Sequence, residues 1–295
     1  MEDVVGRQLL EVLAARAEAP VWRSAWRFVA FLGAADFFAV ALPLLFAWAP
    51  ARWSLRIGLA FASSAALSET LKAAIGRARP DPAAFGLPPL EDPGAYDSAA
   101  LPSGHTLMAV VLWGTVAWRS GSTAVRVGCG LLVAAIAFSR LALLRHDLLD
   151  VGAGLVFGGA LLAAIVLVDR AWSDALRRLP RVDRATLWLL VPLVLQMAIG
   201  LEVTGVVLGV GAGLGVGVFA FGGWRRRTRP PHVASVIARA VLALAGVAGA
   251  RAFAEPGEGF APLVLFGIYF TAAVWVAGVV PALLGGVHES RETPA

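Results

Sequence analysis

The chain has 295 residues, of which 59% are hydrophobic and only 15% are charged. Soluble proteins carry about a quarter charged residues, so a soluble globular protein is excluded. The net charge of +5 is not arranged as a basic stripe interleaved with aromatic residues, so we predict no nucleic-acid partner. The single cysteine, Cys129, cannot form an intrachain disulfide.

The first predicted element is an amphipathic helix over residues 3–24, which Pro20 should end and which is too polar to span a bilayer. Apolar runs of about 18 or more residues then recur and predict membrane-spanning helices. We predict nine spans, over residues 28–48, 54–75, 104–118, 124–144, 148–168, 186–203, 205–222, 233–252 and 261–284.

The predicted fold is therefore an all-α polytopic membrane protein. We divide it into an N-terminal interfacial helix (1–27), a helical core (28–170), a cytoplasmic linker (171–185) and a C-terminal module of four spans (186–295). In that module, the repeat Gly205-x3-Gly209-x3-Gly213-x3-Gly217 predicts a small-residue ridge that packs closely against a neighbouring helix.

Loop charge predicts the orientation. The loops that fall on one side of the membrane are strongly basic, as in residues 225–229, and basic loops favour the cytoplasm. The opposite side then faces the periplasm or the exterior. Abundant Ala, Gly and Arg suggest a GC-rich bacterial genome, so we predict a bacterial inner-membrane protein. The proline-rich segment 80–102 lies on the outer side, either as a lid over a site or as a plain connector.

Three motifs place polar residues at the ends of predicted spans on that outer side. They are Lys72-x6-Arg79-Pro80, which contains the only lysine of the chain, Pro102-Ser103-Gly104-His105, and Ser139-Arg140-x5-His146-x3-Asp150. Cationic side chains and the N–H groups of a helix start neutralise phosphate oxygens and donate hydrogen bonds to them. The motifs therefore predict a phosphate site formed by Lys72, Arg79, Ser103, Gly104 and Arg140.

Two histidines and an aspartate in the same motifs suit nucleophilic and acid–base chemistry. His146 and Asp150 are four residues apart at a helix start and so share one face. A carboxylate that binds one ring nitrogen fixes the tautomer and leaves the other nitrogen as the nucleophile. His105, from a different helix, is the candidate general acid for the leaving oxygen and the base that later activates water.

Together the three motifs resemble the signature of the type 2 phosphatidic acid phosphatase (PAP2) family of integral-membrane lipid phosphatases, over about residues 28–170. The resemblance implies a PAP2-type helical bundle, a phosphohistidine on His146, and no metal or other cofactor. It also implies a lipid phosphate substrate, such as phosphatidate, phosphatidylglycerophosphate or undecaprenyl diphosphate. Two departures concern the helices: two spans rather than three lead to the first motif, and the four C-terminal spans exceed the six-helix family core.

Two other functions remain open at this point. A lipid phosphotransferase would use the same site with an acceptor lipid in place of water. A transporter or lipid-binding protein would also have many spans and glycine-rich helices, but its broken helices should lie near the membrane midplane rather than at one face. The sequence predicts no particular oligomeric state.

Four further polar residues lie outside these motif positions. Glu69 lies three residues before Lys72, and we expect the two to pair. Asp36 lies inside the first predicted span and is assigned no role. Arg77 and Arg145 flank motif residues and are expected to contact a second phosphate, a headgroup or the lipid surface.

Overall fold

The computed structural model describes residues 4–17, 19–81, 83, 99–221, 233–254 and 259–285. These residues form helices and connections without a β-strand. The helices are α1 (Val4–Ala17), α2 (Pro20–Phe31), α3 (Ala35–Trp48), α4 (Ala51–Ile75), α5 (Gly104–Arg119), α6 (Thr123–Ala142), α7 (Leu148–Arg178), α8 (Arg181–Ile199), α9 (Glu202–Ala220), α10 (Val233–Phe253), α11 (Pro262–Val274) and α12 (Val280–Gly285), with a π-helical turn at Trp275–Val279.

The N-terminal region differs from the prediction in two ways. The predicted helix 3–24 is two helices: α1 ends at Ala17, before Pro20, and Pro20 begins α2, where a proline costs nothing because the first N–H of a helix has no intrahelical partner. The predicted span 28–48 is not continuous either, since α2 and α3 meet at a bend of 48°. At the bend, Trp113 Nε1 donates to the Leu32 carbonyl oxygen at 3.2 Å and so satisfies a group that the broken helix leaves open.

The number of spans is also smaller than predicted. Within the described residues, six helices are long and apolar enough to cross a membrane, and the bent α2–α3 pair would make seven. The predicted span at α4 is less apolar, and α5 has 16 residues, or about 24 Å at 1.5 Å per residue. That length falls short of a hydrocarbon core of about 30 Å. The fold is nevertheless an all-α polytopic membrane protein, as predicted.

The chain divides into two compact units, one formed by residues 1–38 and 63–171 and the other by residues 39–62 and 172–295. In the first unit α7 packs closely on α5, because two positions of α7 that face α5 are glycines. A larger side chain at either position would collide with the backbone of α5 or of the residue before it. A Cβ at Gly154 would lie 2.9 Å from the Ser103 carbonyl oxygen, and one at Gly158 would lie 3.0 Å from that of Leu107. This unit contains all three motifs.

The second unit contains α8 to α12 and confirms the predicted glycine ridge on α9. A Cβ at Gly205, Gly209 or Gly213 would lie 2.3–2.4 Å from a backbone carbonyl oxygen of α11. Such distances are below any real contact, so only glycine permits this approach of the two helices. The four predicted C-terminal spans are likewise present as apolar helices, at α8, α9, α10 and Pro262–Leu284.

Candidate active site

The first motif lies where α4 ends. Lys72 is in its last turn, and Gly76 follows the helix with a φ of +64°, a left-handed conformation that glycine adopts without strain. The Gly76 N–H donates to the Lys72 carbonyl oxygen at 2.9 Å. The Ala100 N–H donates to the Arg77 carbonyl oxygen at 2.7 Å, so the two ends of segment 77–100 lie together.

The second motif forms the start of α5. Ser103 is the N-cap residue and is fully buried, and its N–H donates to the Asp150 carbonyl oxygen at 2.9 Å. Its side chain does not cap the helix, because its Oγ lies 3.0 Å from Thr106 Oγ1 instead. The first turn of α5 therefore presents N–H groups without a side-chain cap, which favours binding of an anion there.

Gly104 allows a cationic side chain to approach that first turn. A Cβ at this position would lie 2.8 Å from Ser68 Oγ and 3.4 Å from Lys72 Nζ. The Lys72 ammonium group thus lies against the N-terminus of α5. Its Nζ also forms an ion pair with Glu69 Oε1 at 2.8 Å, the pairing predicted from their spacing on α4.

The third motif spans the turn between α6 and α7. Arg140, in the last turn of α6, is 7% exposed, and its carbonyl oxygen accepts from the N–H groups of Arg145 and His146 at 3.0 and 3.3 Å. Leu144 adopts a φ of +55°, which is rare for a residue with a bulky side chain and reverses the chain direction here. The turn brings His146, which is 1% exposed, back to the end of α6.

His146 is held between an aspartate and an arginine. Its Nδ1 lies 3.3 Å from Asp150 Oδ2, and its Nε2 lies 3.3 Å from Arg79 Nη1. A guanidinium group only donates hydrogen bonds, so Nε2 accepts from Arg79 and the ring proton lies on Nδ1, which donates to Asp150. The structure thus brings His146 and Asp150 together as their spacing predicts, and leaves a lone pair on Nε2.

The surroundings of His146 favour its neutral form. Burial lowers the pKa of His146 well below its ordinary value, and the positive charges of Arg140, Arg79 and Lys72 lower it further. The imidazole is therefore neutral at pH 7 in the unliganded site. A neutral ring keeps the Nε2 lone pair that a nucleophile needs.

The remaining motif residues lie around the same point. Arg140, His146, Lys72 and Arg79 are all close enough to His105 to interact with it electrostatically. Residues from four helix ends therefore meet in one cluster with three cationic side chains. Within the described residues, no group of three or more His, Cys, Asp or Glu side chains is placed to hold a metal ion.

Comparison with known proteins agrees with this geometry. A family model described as the PAP2 superfamily matches residues 53–174, which include all three motifs. The chain contains a PAP2 region. The match supports a phosphatase activity in general. No curated protein and no solved structure gives a significant match.

Arg77, in the PAP2 region, makes contacts different from those expected. We expected Arg77 to contact a second phosphate, a headgroup or the lipid surface, but its guanidinium group pairs with two carboxylates. Nη2 donates to Asp147 Oδ2 at 2.6 Å, and Nη1 donates to Asp150 Oδ1. The hydrogen bond with Asp147, together with the charges of Asp150 and Asp147, raises the pKa of Arg77. The role of Asp147 was missed, although Asp147-x-x-Asp150 before an apolar run is a recognisable helix-start pattern.

Nε of Arg140 and Oγ of Ser68 are buried polar atoms of the PAP2 region that have no hydrogen-bond partner among the described residues. Ser68 is 1% exposed, and its Oγ lies beside Gly104. Ser68, one helical turn before Lys72, was not predicted as a site residue. Most of the predicted lid or connector, residues 82 and 84–98, lies outside the described residues, as do His232, His288 and the basic segment 225–229.

Proposed function

We propose that this protein is a lipid phosphate phosphohydrolase that works through a phosphohistidine on His146. The observation that carries the proposal is the environment of His146 Nε2. The opposite ring nitrogen is 3.3 Å from Asp150, while Nε2 itself lies beside Arg79 within the cationic cluster. A neutral imidazole with a fixed tautomer, beside groups that bind an anion, suits attack on phosphorus.

In the first step, phosphate oxygens bind Lys72, Arg79 and Arg140, together with N–H groups at the start of α5. Nε2 then attacks phosphorus in line with the lipid oxygen, so that the new P–N bond forms as the P–O bond breaks. The negative charge of the bound phosphate offsets the cations around His105 and favours its protonated form. His105 gives that proton to the leaving oxygen, and the lipid product departs as an alcohol or, from a diphosphate, as a monophosphate.

In the second step, water replaces the lipid. His105, now without its proton, takes one from the water as its oxygen attacks phosphorus. The P–N bond breaks, inorganic phosphate leaves, and His146 returns to its neutral form while His105 is again protonated. The cationic side chains stabilise the charge on the phosphoryl oxygens in both steps.

When α4 and α5 cross the membrane together with the seven candidate spans, the basic loops described above lie on the cytoplasmic side and support an active site at the outer face of a bacterial inner membrane. A lipid phosphate would then enter from the outer leaflet, with its headgroup at the level of the motif residues. We assign the C-terminal module no catalytic role.

The test is phosphate release by purified protein from a panel of lipid monophosphates and diphosphates, with a chelator present. We expect His146→Ala to abolish release and His232→Ala, outside the three motifs, to leave it unchanged. With a substrate radiolabelled in the phosphate, wild-type protein should trap an acid-labile, alkali-stable label that His146→Ala lacks. Release that requires added magnesium, or that persists in His146→Ala, would contradict the mechanism. A labelled acceptor lipid as the main product would identify a phosphotransferase instead.

A further inference from the structure

We propose that Arg77 positions the catalytic pair of His146 and Asp150 and does not bind the substrate phosphate. This inference rests on the proposed function, in which His146 is the nucleophile. Arg77 and Arg79 are two residues apart in one motif, and their residue type alone would assign both to phosphate. The structure separates them, because Arg79 lies at Nε2 of His146 while Arg77 lies on the far side of Asp150.

Both arms of the Arg77 guanidinium group are occupied. Nη2 donates to Asp147 Oδ2 at 2.6 Å, and Nη1 donates to Asp150 Oδ1. Each arm thus binds a different carboxylate. A phosphate that bound Nη1 and Nη2 in place of these contacts would have to displace both carboxylates.

Asp150 is fixed from several directions. Its Oδ2 accepts from His146 Nδ1 at 3.3 Å and from the Asp147 N–H at 3.2 Å, while its Oδ1 accepts from Arg77. In return, Asp147 Oδ1 accepts from the Asp150 N–H at 3.0 Å, which completes a capping box at the start of α7. These contacts leave the Asp150 side chain a single orientation, and that orientation determines which ring nitrogen of His146 carries the proton.

Charge gives Arg77 a second effect on the pair. Asp150 is fully buried, and Arg77 places a positive charge directly against its carboxylate. This cation favours the charged form of Asp150 and so keeps a negative charge beside the His146 ring. As Nε2 bonds to phosphorus, the imidazole ring becomes positive, and this negative charge stabilises it. Arg77 should therefore affect the chemical step rather than substrate binding.

The experiment compares kinetic constants for Arg77→Gln, Arg77→Lys and Arg79→Gln with those of wild type, in detergent micelles containing a lipid monophosphate. We expect Arg77→Gln to lower kcat by about 10- to 100-fold and to change KM by less than about twofold. Arg77→Lys keeps one charged contact, so its kcat should fall less than that of Arg77→Gln. Arg79→Gln, which removes a phosphate ligand, should raise KM.

A matched control is available in the same unit. Arg119 pairs with Asp169 at 3.5 Å, with side-chain exposures of 30% and 24%, close to the 35% and 22% of Arg77 and Asp147. Arg119→Gln should leave both kinetic constants unchanged. For Arg77→Ala, added guanidinium ion at millimolar concentration should restore kcat in a saturable way, which a purely structural loss would not show.

A readout without turnover separates this inference from the proposed function. In protein labelled with 15N-histidine, NMR should show His146 protonated on Nδ1 in wild type and as a mixture of tautomers in Arg77→Gln. If wild type releases no phosphate but the tautomer of His146 still changes in Arg77→Gln, the proposed function fails and the positioning role of Arg77 stands. If Arg77 variants do not fold, Asp147→Asn tests the same network, with an expected fall in kcat of up to about tenfold. A raised KM with unchanged kcat, or an unchanged tautomer in the variant, overturns the inference.

Discussion

Replacing Gly104 with alanine should separate phosphate binding from folding. The added Cβ would lie 2.8 Å from Ser68 Oγ and 3.4 Å from Lys72 Nζ, so both side chains must move away. Both atoms end rotatable side chains, and alanine favours a helix over glycine by up to about 1 kcal/mol. The free energy of unfolding should therefore change by no more than about 1 kcal/mol. A displaced Lys72 loses a charged hydrogen bond to phosphate, worth roughly 1.5–3 kcal/mol, or roughly 10- to 150-fold in kcat/KM.

The assay is phosphate release from a lipid monophosphate, with thermal unfolding of the same preparations followed by circular dichroism. Gly128→Ala is the control, because a Cβ there meets nothing within 4 Å on α6. It should leave kcat/KM unchanged. A Gly104→Ala protein with wild-type kcat/KM would refute the reasoning that Lys72 and the first turn of α5 bind one phosphate. A large fall in unfolding temperature would refute the expectation that the neighbouring side chains can move.

Three further predictions concern charge, packing and pH. Glu69→Gln removes the ion pair of Lys72, so the inhibition constant of inorganic phosphate against phosphate release should fall by about two- to fivefold. A higher inhibition constant would show instead that Glu69 orients the lysine. Gly213→Ala places a Cβ 2.3 Å from the backbone of α11 and should destabilise the protein by about 1–3 kcal/mol. Gly249→Ala, where a Cβ meets open space, should leave the stability unchanged, and thermal unfolding of the two variants tests the difference. Because the pKa of His146 is lowered, its neutral form persists as the pH falls. The fall of kcat/KM on the acid side, where His146 takes up a proton, should therefore have its midpoint below pH ~6.5. A midpoint above that value would contradict the burial argument.

Interactions within a few residues of one another were predictable from the sequence. The spacing of His146 and Asp150 and that of Glu69 and Lys72 place each pair on one helix face, and the structure shows both contacts. The glycine ridge on α9 was predictable for the same reason, since a four-residue repeat marks one face whatever it packs against. The predicted helix 3–24 was wrong only beyond Pro20, because a proline suits both the end of one helix and the first turn of the next.

Interactions between distant residues were not predictable. The bend after α2 depends on Gly33, where a Cβ would lie 2.7 Å from Ile136, and on Trp113, which binds the exposed carbonyl oxygen of Leu32. Neither contact leaves a local pattern. The pairing of Arg77 with the start of α7 joins residues at least 70 positions apart. The motif contained the arginine, but only the folded chain shows that it binds carboxylates.

The position of Asp150 determines which substitutions can test the mechanism. Its main chain binds the start of α5 through Ser103, and its side chain binds His146, Arg77 and the Asp147 N–H. All three motifs therefore meet at one buried carboxylate. Removing one partner of a buried ion pair costs roughly 3–5 kcal/mol, so Asp150→Ala would disturb folding and catalysis together, and its inactivity would not distinguish them. Arg77→Gln leaves the buried Asp150 carboxylate without its cation and so carries a folding cost of its own. Asp147→Asn keeps Arg77 in place and changes a side chain that is 22% accessible, so a fall in kcat at an unchanged unfolding temperature in this variant can be assigned to the orientation of His146.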